Sequence, residues 1–180
     1  MSTKGRIYPH VSVRNLSPNC STRGGAKPTL IVVHATAGHN RPGVEDLVGL
    51  GNWFDHPDGV SSHVAVDNEG HSARYVPDRL KAWHCMGYNR LSLGIEQVIP
   101  GNGTEITPDL YRECARWIAR WSKNHGIPIR KAKVSGGLVL RSGVIRHSEL
   151  GTIGGGHSDP GPGYDLRHVL RLARFYKGKL

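Results

Sequence analysis

The chain has 180 residues, 37% of them hydrophobic, which is enough for one domain with a real core and too many for a disordered polypeptide. Its 24 Lys and Arg against 14 Asp and Glu leave a net charge of +10, scattered rather than gathered in one basic block, so a polyanionic partner or surface is favoured without being named. Cys20, Cys85 and Cys114 are far apart and form no CxxC pair, which argues against a disulfide framework; no signal-peptide core and no membrane-length apolar run is present, so synthesis in the cytoplasm without membrane insertion is expected.

Residues 1–28 are polar and punctuated by Pro9, Pro18, Gly24, Gly25 and Pro28, and read as an N-terminal arm without regular structure, leaving residues 29–180 as the functional domain. The run Leu30-Ile-Val-Val33 predicts a buried strand that ends on His34. Pro42 in a first turn, then Val44, Leu47, Val48, Leu50 and Trp53, predict a helix ending near His56 and Pro57. Residues 62–67 and 71–76, joined by Asn68-Glu-Gly70, predict a hairpin in which His63 and Ala65 share one face.

A further strand over residues 93–98 carries Glu96. The strongest helix spans 108–125, capped by Thr107, started by Pro108 and ended by Gly126, with Leu110, Cys114, Trp117, Ile118 and Trp121 in one stripe. Residues 127–134 read as an extended connection, and Asp165 caps a last helix with Leu166, Val169, Leu170 and Ala173 inward. Strands and helices alternate unevenly around one hairpin, which predicts an α/β fold: a single domain with a mixed central sheet flanked by helices.

Between the last strand and the last helix, residues 144–164 hold two histidines, a carboxylate and a cluster of glycines and prolines. Val144 and Ile145 deliver His147 at a strand end. Gly154-Gly-Gly156 lets the backbone turn back so that His157 and Asp159 face one point, and Pro160-Gly161-Pro162 stiffens the turn. From this stretch alone, a glycine-rich surface loop with solvated histidines reads equally well. A catalytic zinc takes three ligands of the His and carboxylate type and leaves a fourth position open, and His34, His147 and Asp159 form one such set. Singly, each of these histidines also reads as an ordinary core or surface residue.

Four segments in order, Val33-His34-Ala-Thr-Ala-Gly38, Ala82-Trp-His84, Ser92-Leu-Gly-Ile-Glu96 and His157-Ser-Asp-Pro-Gly-Pro162, resemble the signature segments of the zinc-dependent N-acetylmuramoyl-L-alanine amidases. That family includes phage endolysins, cell-wall recycling amidases and peptidoglycan recognition proteins. The resemblance implies Zn2+ in a surface groove that accepts the peptide stem of peptidoglycan, with His34, His147 and Asp159 as ligands. It also implies that Glu96 accepts the proton of a zinc-activated water attacking the amide between N-acetylmuramic acid and L-alanine. His157 stands where many members carry lysine and would hydrogen-bond the oxyanion. The groove is expected to be lined by Trp83, His84 and Thr36. His63 reads as a satisfied histidine, and Cys85 as a buried thiol pointing away from His84.

Two rival functions are weaker. A non-catalytic peptidoglycan-binding module conflicts with the intact ligand set and Glu96. A nucleic-acid protein is motivated only by charge, with no basic block interleaved with aromatics. The expectation is therefore a monomeric peptidoglycan hydrolase, a phage endolysin made in the cytoplasm and acting at the wall after release, with a cytoplasmic muropeptide-recycling amidase as the alternative.

Overall fold

The computed structural model describes residues 5–38, 41–57 and 59–180. Strands β1 (Val11–Arg14), β2 (Cys20–Thr22) and β3 (Leu30–Val33) precede helix α1 (Glu45–Phe54). Then come β4 (Val64–Val66), β5 (Ser72–Arg74), β6 (Leu80–Ala82), a 3₁₀ turn (Met86–Leu91) and β7 (Ser92–Gln97). Helix α2 (Pro108–His125), strands β8 (Lys133–Ser135), β9 (Leu138–Arg141) and β10 (Gly143–Arg146), two short 3₁₀ turns and helix α3 (Leu166–Lys177) complete the chain. Six strands form the main sheet in the order β1-β5-β4-β7-β3-β10. Only the β4–β5 pair is antiparallel, so the sheet is mixed, as predicted.

All four residues of β3 are fully buried, which suits a strand covered on both faces by helices and turns. Alternation sorts the side chains. Ile31, Val33, Val64, Val66, Leu93, Ile95 and Val144 face α2 and α3. Ala65 and Ala73 face α1, while Leu30, Val32 and Ile145 pack on the same side against Cys85, Tyr88 and Leu150. The Thr107 hydroxyl accepts from the Leu110 amide at 3.1 Å, and Gly126 ends α2 in the left-handed region at φ 70°, both as the sequence indicates. Asp165 caps α3 by accepting from the His168 amide at 3.0 Å.

Three expectations change. The described part of residues 1–28 contains regular structure: β1 extends the main sheet alongside β5, and β2 pairs antiparallel with β6. The partners lie about sixty residues away, so a local reading of short polar segments misses them. The connection after Ile127 also holds more than an extended chain, because β8 and β9 form a hairpin over Gly136 and Gly137, both at positive φ. Finally, α1 starts at Glu45 rather than at Pro42. It buries Leu47, Gly51 and Phe54, leaving Val48 41% and Trp53 58% exposed. A Cβ on Gly51 would meet the Asn15 side-chain amide at 2.6 Å, so the inward face of α1 needs glycine where it packs on the segment after β1.

Candidate metal centre

The parallel strands deliver the site by register. Val33 pairs with Ile95 on one side and with Arg146 on the other, so Glu96, His34 and His147 stand next to one another where β7, β3 and β10 end. Each lies one residue beyond a side chain that faces the α2 and α3 layer, so all three turn to the opposite face. Carboxyl ends of parallel strands are where α/β sheets place their ligands.

Asp159 reaches the same point from the glycine- and proline-rich turn. Its Oδ2 accepts from the Ala35 amide at 3.1 Å, and its carbonyl accepts from the Ser148 amide at 2.7 Å. The turn is clamped on the 101–103 loop, where Gly161 donates to the Gly101 carbonyl at 2.8 Å and a Cβ on Gly161 would meet Asn102 backbone at 2.6 Å.

His34 Nδ1 lies 3.0 Å from His147 Nδ1 and 3.6 Å from Asp159 Oδ2, and His147 Nδ1 lies 3.0 Å from Asp159 Oδ1. Donors about 2.0–2.1 Å from a tetrahedral zinc sit roughly 3.3 Å apart, so this spacing fits a metal ion held by all three. His34 is 2% and His147 4% exposed. His147 Nε2 lies 2.9 Å from the Gly154 carbonyl, which can only accept, so that nitrogen carries the proton and Nδ1 of the neutral ring offers its lone pair. Nδ1 and a carboxylate oxygen are then two acceptors face to face, an arrangement that a cation between them stabilises. Burial, opposed by Asp159, lowers the His34 pKa to about 4 and keeps it neutral, as a ligand must be.

Glu96 Oε1 is 3.9 Å from His34 Nδ1, beside the ligand point rather than part of it. Burial, and then the Asp159 charge, push its pKa up to about 8. A divalent cation at the ligand point would favour its carboxylate form. Burial pushes the Asp159 carboxyl up, but its close approach to the His147 and His34 rings more than offsets this and holds it well below the usual carboxylate range. His157 has a half-exposed ring stacked on His147, with centroids 4.4 Å apart, and its Nδ1 is 3.9 Å from Asp159 Oδ1.

These groups line one side of an open cavity of about 370 Å³, with Leu50, Trp53 and Val60 as its apolar wall and Thr36 at its edge. The site thus unites His34, His147, Asp159, Glu96, His157 and Thr36. Trp83 is corrected: it lies outside the cavity, its indole N–H donating to Ser21 Oγ at 3.3 Å, and Trp53 takes its place because α1 turns that residue outward. His84 touches the cavity but is 8% exposed, and it sits behind His34 with Nδ1 2.9 Å from His34 Nε2. Cys85 is a buried thiol as expected. It lies 3.8 Å from His84 Nε2 rather than pointing away, because the backbone enters a 3₁₀ turn there instead of staying extended. His63 is satisfied, accepting from the Gly94 amide at 3.0 Å on Nδ1.

The family model for N-acetylmuramoyl-L-alanine amidases matches residues 24–162. The chain belongs to this amidase family. Among solved structures, the hydrolase AmiA of Staphylococcus aureus superposes with a TM-score of 0.69 at 16% identity, covering 98% of this chain and 87% of that one. A selenomethionine derivative of AmpD gives 0.68 at 21% identity, covering 92% and 96%. The endolysin amidase LysCS of Clostridium intestinale gives 0.62 at 17%, covering 89% and 94%. At these identities the likeness is one of fold. No protein of curated function matches the chain by sequence.

Proposed function

We propose that this amidase hydrolyses the amide between N-acetylmuramic acid and L-alanine of peptidoglycan. The observation that carries the reading is the convergence of His34, His147 and Asp159 at one open point, with Glu96 beside them, in a chain of the amidase family. The His, His and carboxylate donor set and its spacing fit zinc. When bound there, zinc supplies Lewis acidity that polarises the amide carbonyl and lowers the pKa of water towards neutrality.

The chain's own residues do the rest. Glu96 accepts the proton of the attacking water and passes it to the leaving amine, a transfer its place at the cavity edge permits. His157, exposed above His147, donates a hydrogen bond to the developing oxyanion. Leu50, Trp53 and Val60 give the substrate an apolar wall on one side of the open cavity. Mass spectrometry of material released from purified cell walls tests this reading. Free L-alanine amino termini on stem peptides are expected, and new reducing ends of the glycan without them would sink it.

We further infer a phage lysis role at the wall after release from the cytoplasm. It is supported by the open cavity, the net charge of +10 and the likeness in fold to the endolysin amidase LysCS. Turnover of intact walls at a rate well above that of soluble muropeptides is expected; the reverse preference would point to recycling.

A further inference from the structure

The proton on His34 is ordered from a distance. A hydrogen-bonded chain runs from His34 Nε2 to His84 Nδ1 at 2.9 Å, from His84 Nε2 to Ser92 Oγ at 3.0 Å, and from Ser92 Oγ to the Tyr88 carbonyl at 2.9 Å. Its direction is fixed at the far end, because a carbonyl can only accept. Ser92 therefore donates to Tyr88 and accepts from His84 Nε2. That puts the His84 proton on Nε2 and its lone pair on Nδ1, which accepts from His34 Nε2–H. The lone pair of His34 is left on Nδ1, the atom facing His147 and Asp159.

The surrounding structure is built to hold this chain. A Cβ on Gly94 would come within 2.8 Å of His84 Nδ1 and 2.9 Å of Ser62 Oγ, so only glycine leaves room for the ring beside β7. Asn89 Oδ1 accepts from the amides of both His84 and Cys85, at 2.9 and 2.7 Å, and pins the backbone that carries the ring. Cys85 Sγ lies 3.1 Å from Ser92 Oγ, and its burial pushes the thiol up to about 12, so it keeps its proton and can donate to Ser92 without reversing the chain.

We propose that His84 and Ser92 are positioning residues that fix the tautomer and ring orientation of His34 and thereby set the metal affinity of the site. This rests on the metal reading above and departs from a role for His84 in touching substrate. The test measures Zn2+ dissociation constants by competition with a chromophoric chelator, together with ¹⁵N shifts of the His34 ring. His84→Leu should weaken zinc binding by about 10–100-fold. His84→Asn, whose Oδ1 can take the place of Nδ1 as acceptor, should recover most of that loss. Ser92→Ala, which touches no ligand, should weaken binding by a smaller factor, and Ser92→Thr should restore it.

A folded His84→Leu protein with the parental zinc affinity overturns the proposal. If that variant does not fold, Ser92→Ala decides: an unchanged affinity and unchanged His34 ring shifts overturn it. A parent protein that binds no zinc fails the metal reading itself, whereas zinc binding indifferent to both substitutions fails only the proposal.

Discussion

Glu96 and His157 flank the ligand point without belonging to it, which allows their chemistry to be separated from metal binding. Glu96→Gln keeps the shape of the side chain but cannot accept a proton. Turnover should fall by on the order of 10²–10⁴ with metal content unchanged, and parental wall-clearing activity at equal zinc content would show the glutamate to be structural. His157 meets the site through its stack on His147 and its 3.9 Å approach to Asp159. His157→Ala should therefore lower kcat more than it raises KM, the mark of a contact made mainly in the transition state. Equal kcat in the zinc-loaded variant would reduce His157 to a solvated loop residue.

At the scale of elements, the N-terminal segment is tied to the helices by a buried ion pair. Glu113 and Arg116, both fully buried on α2, meet at 2.9 Å. Glu113 also accepts from the His10 amide at 2.7 Å and from Ser72 Oγ at 3.3 Å, while Arg116 donates to the Arg6 carbonyl at 2.9 Å and to the Tyr176 hydroxyl at 3.2 Å. One pair thus fastens the entry to β1, strand β5, α2 and α3. Glu113→Ala leaves the guanidinium buried without its carboxylate and should cost on the order of 3–5 kcal/mol. Urea titration reads this as a lower midpoint at unchanged slope. A loss within the range of a surface pair, about 1 kcal/mol or less, would show that the segment is held by its strand pairing alone.

Across the whole molecule the charge is uneven. Ten of the 24 Lys and Arg follow Gly126, against three of the 14 Asp and Glu. On α3, Arg167, Arg171, Arg174 and Lys177 are exposed on a helix with no acidic residue. An anionic wall should hold this surface electrostatically. Raising the salt from about 0.01 to about 1 M shortens the screening length from about 30 to about 3 Å, so co-sedimentation with purified walls should fall steeply over that range. Charge reversal at Arg167 and Arg171 should weaken adsorption at low salt while leaving metal content intact. Salt-independent adsorption would mean that the cavity, and not the charge, holds the wall.

What the sequence determined by itself were the features with local causes. The β-branched run before His34, the Thr107 and Asp165 caps, the glycine stop after α2 and the stiff turn carrying Asp159 are each written in a few adjacent residues. That His34, His147 and Asp159 could form one His, His and carboxylate set was legible from residue types, and more firmly from four motifs in order; the structure brings the three together as a candidate metal site. Tertiary structure alone decided the rest, because the causes are distant in the chain. Whether residues 11–14 form a strand depends on β5, and that Trp53 on the outward face of α1, and not Trp83, walls the cavity depends on how α1 packs on the sheet. The role of His84 was equally hidden: no local pattern shows that its ring fits over Gly94, or that a proton ordered at Tyr88 fixes the lone pair of His34.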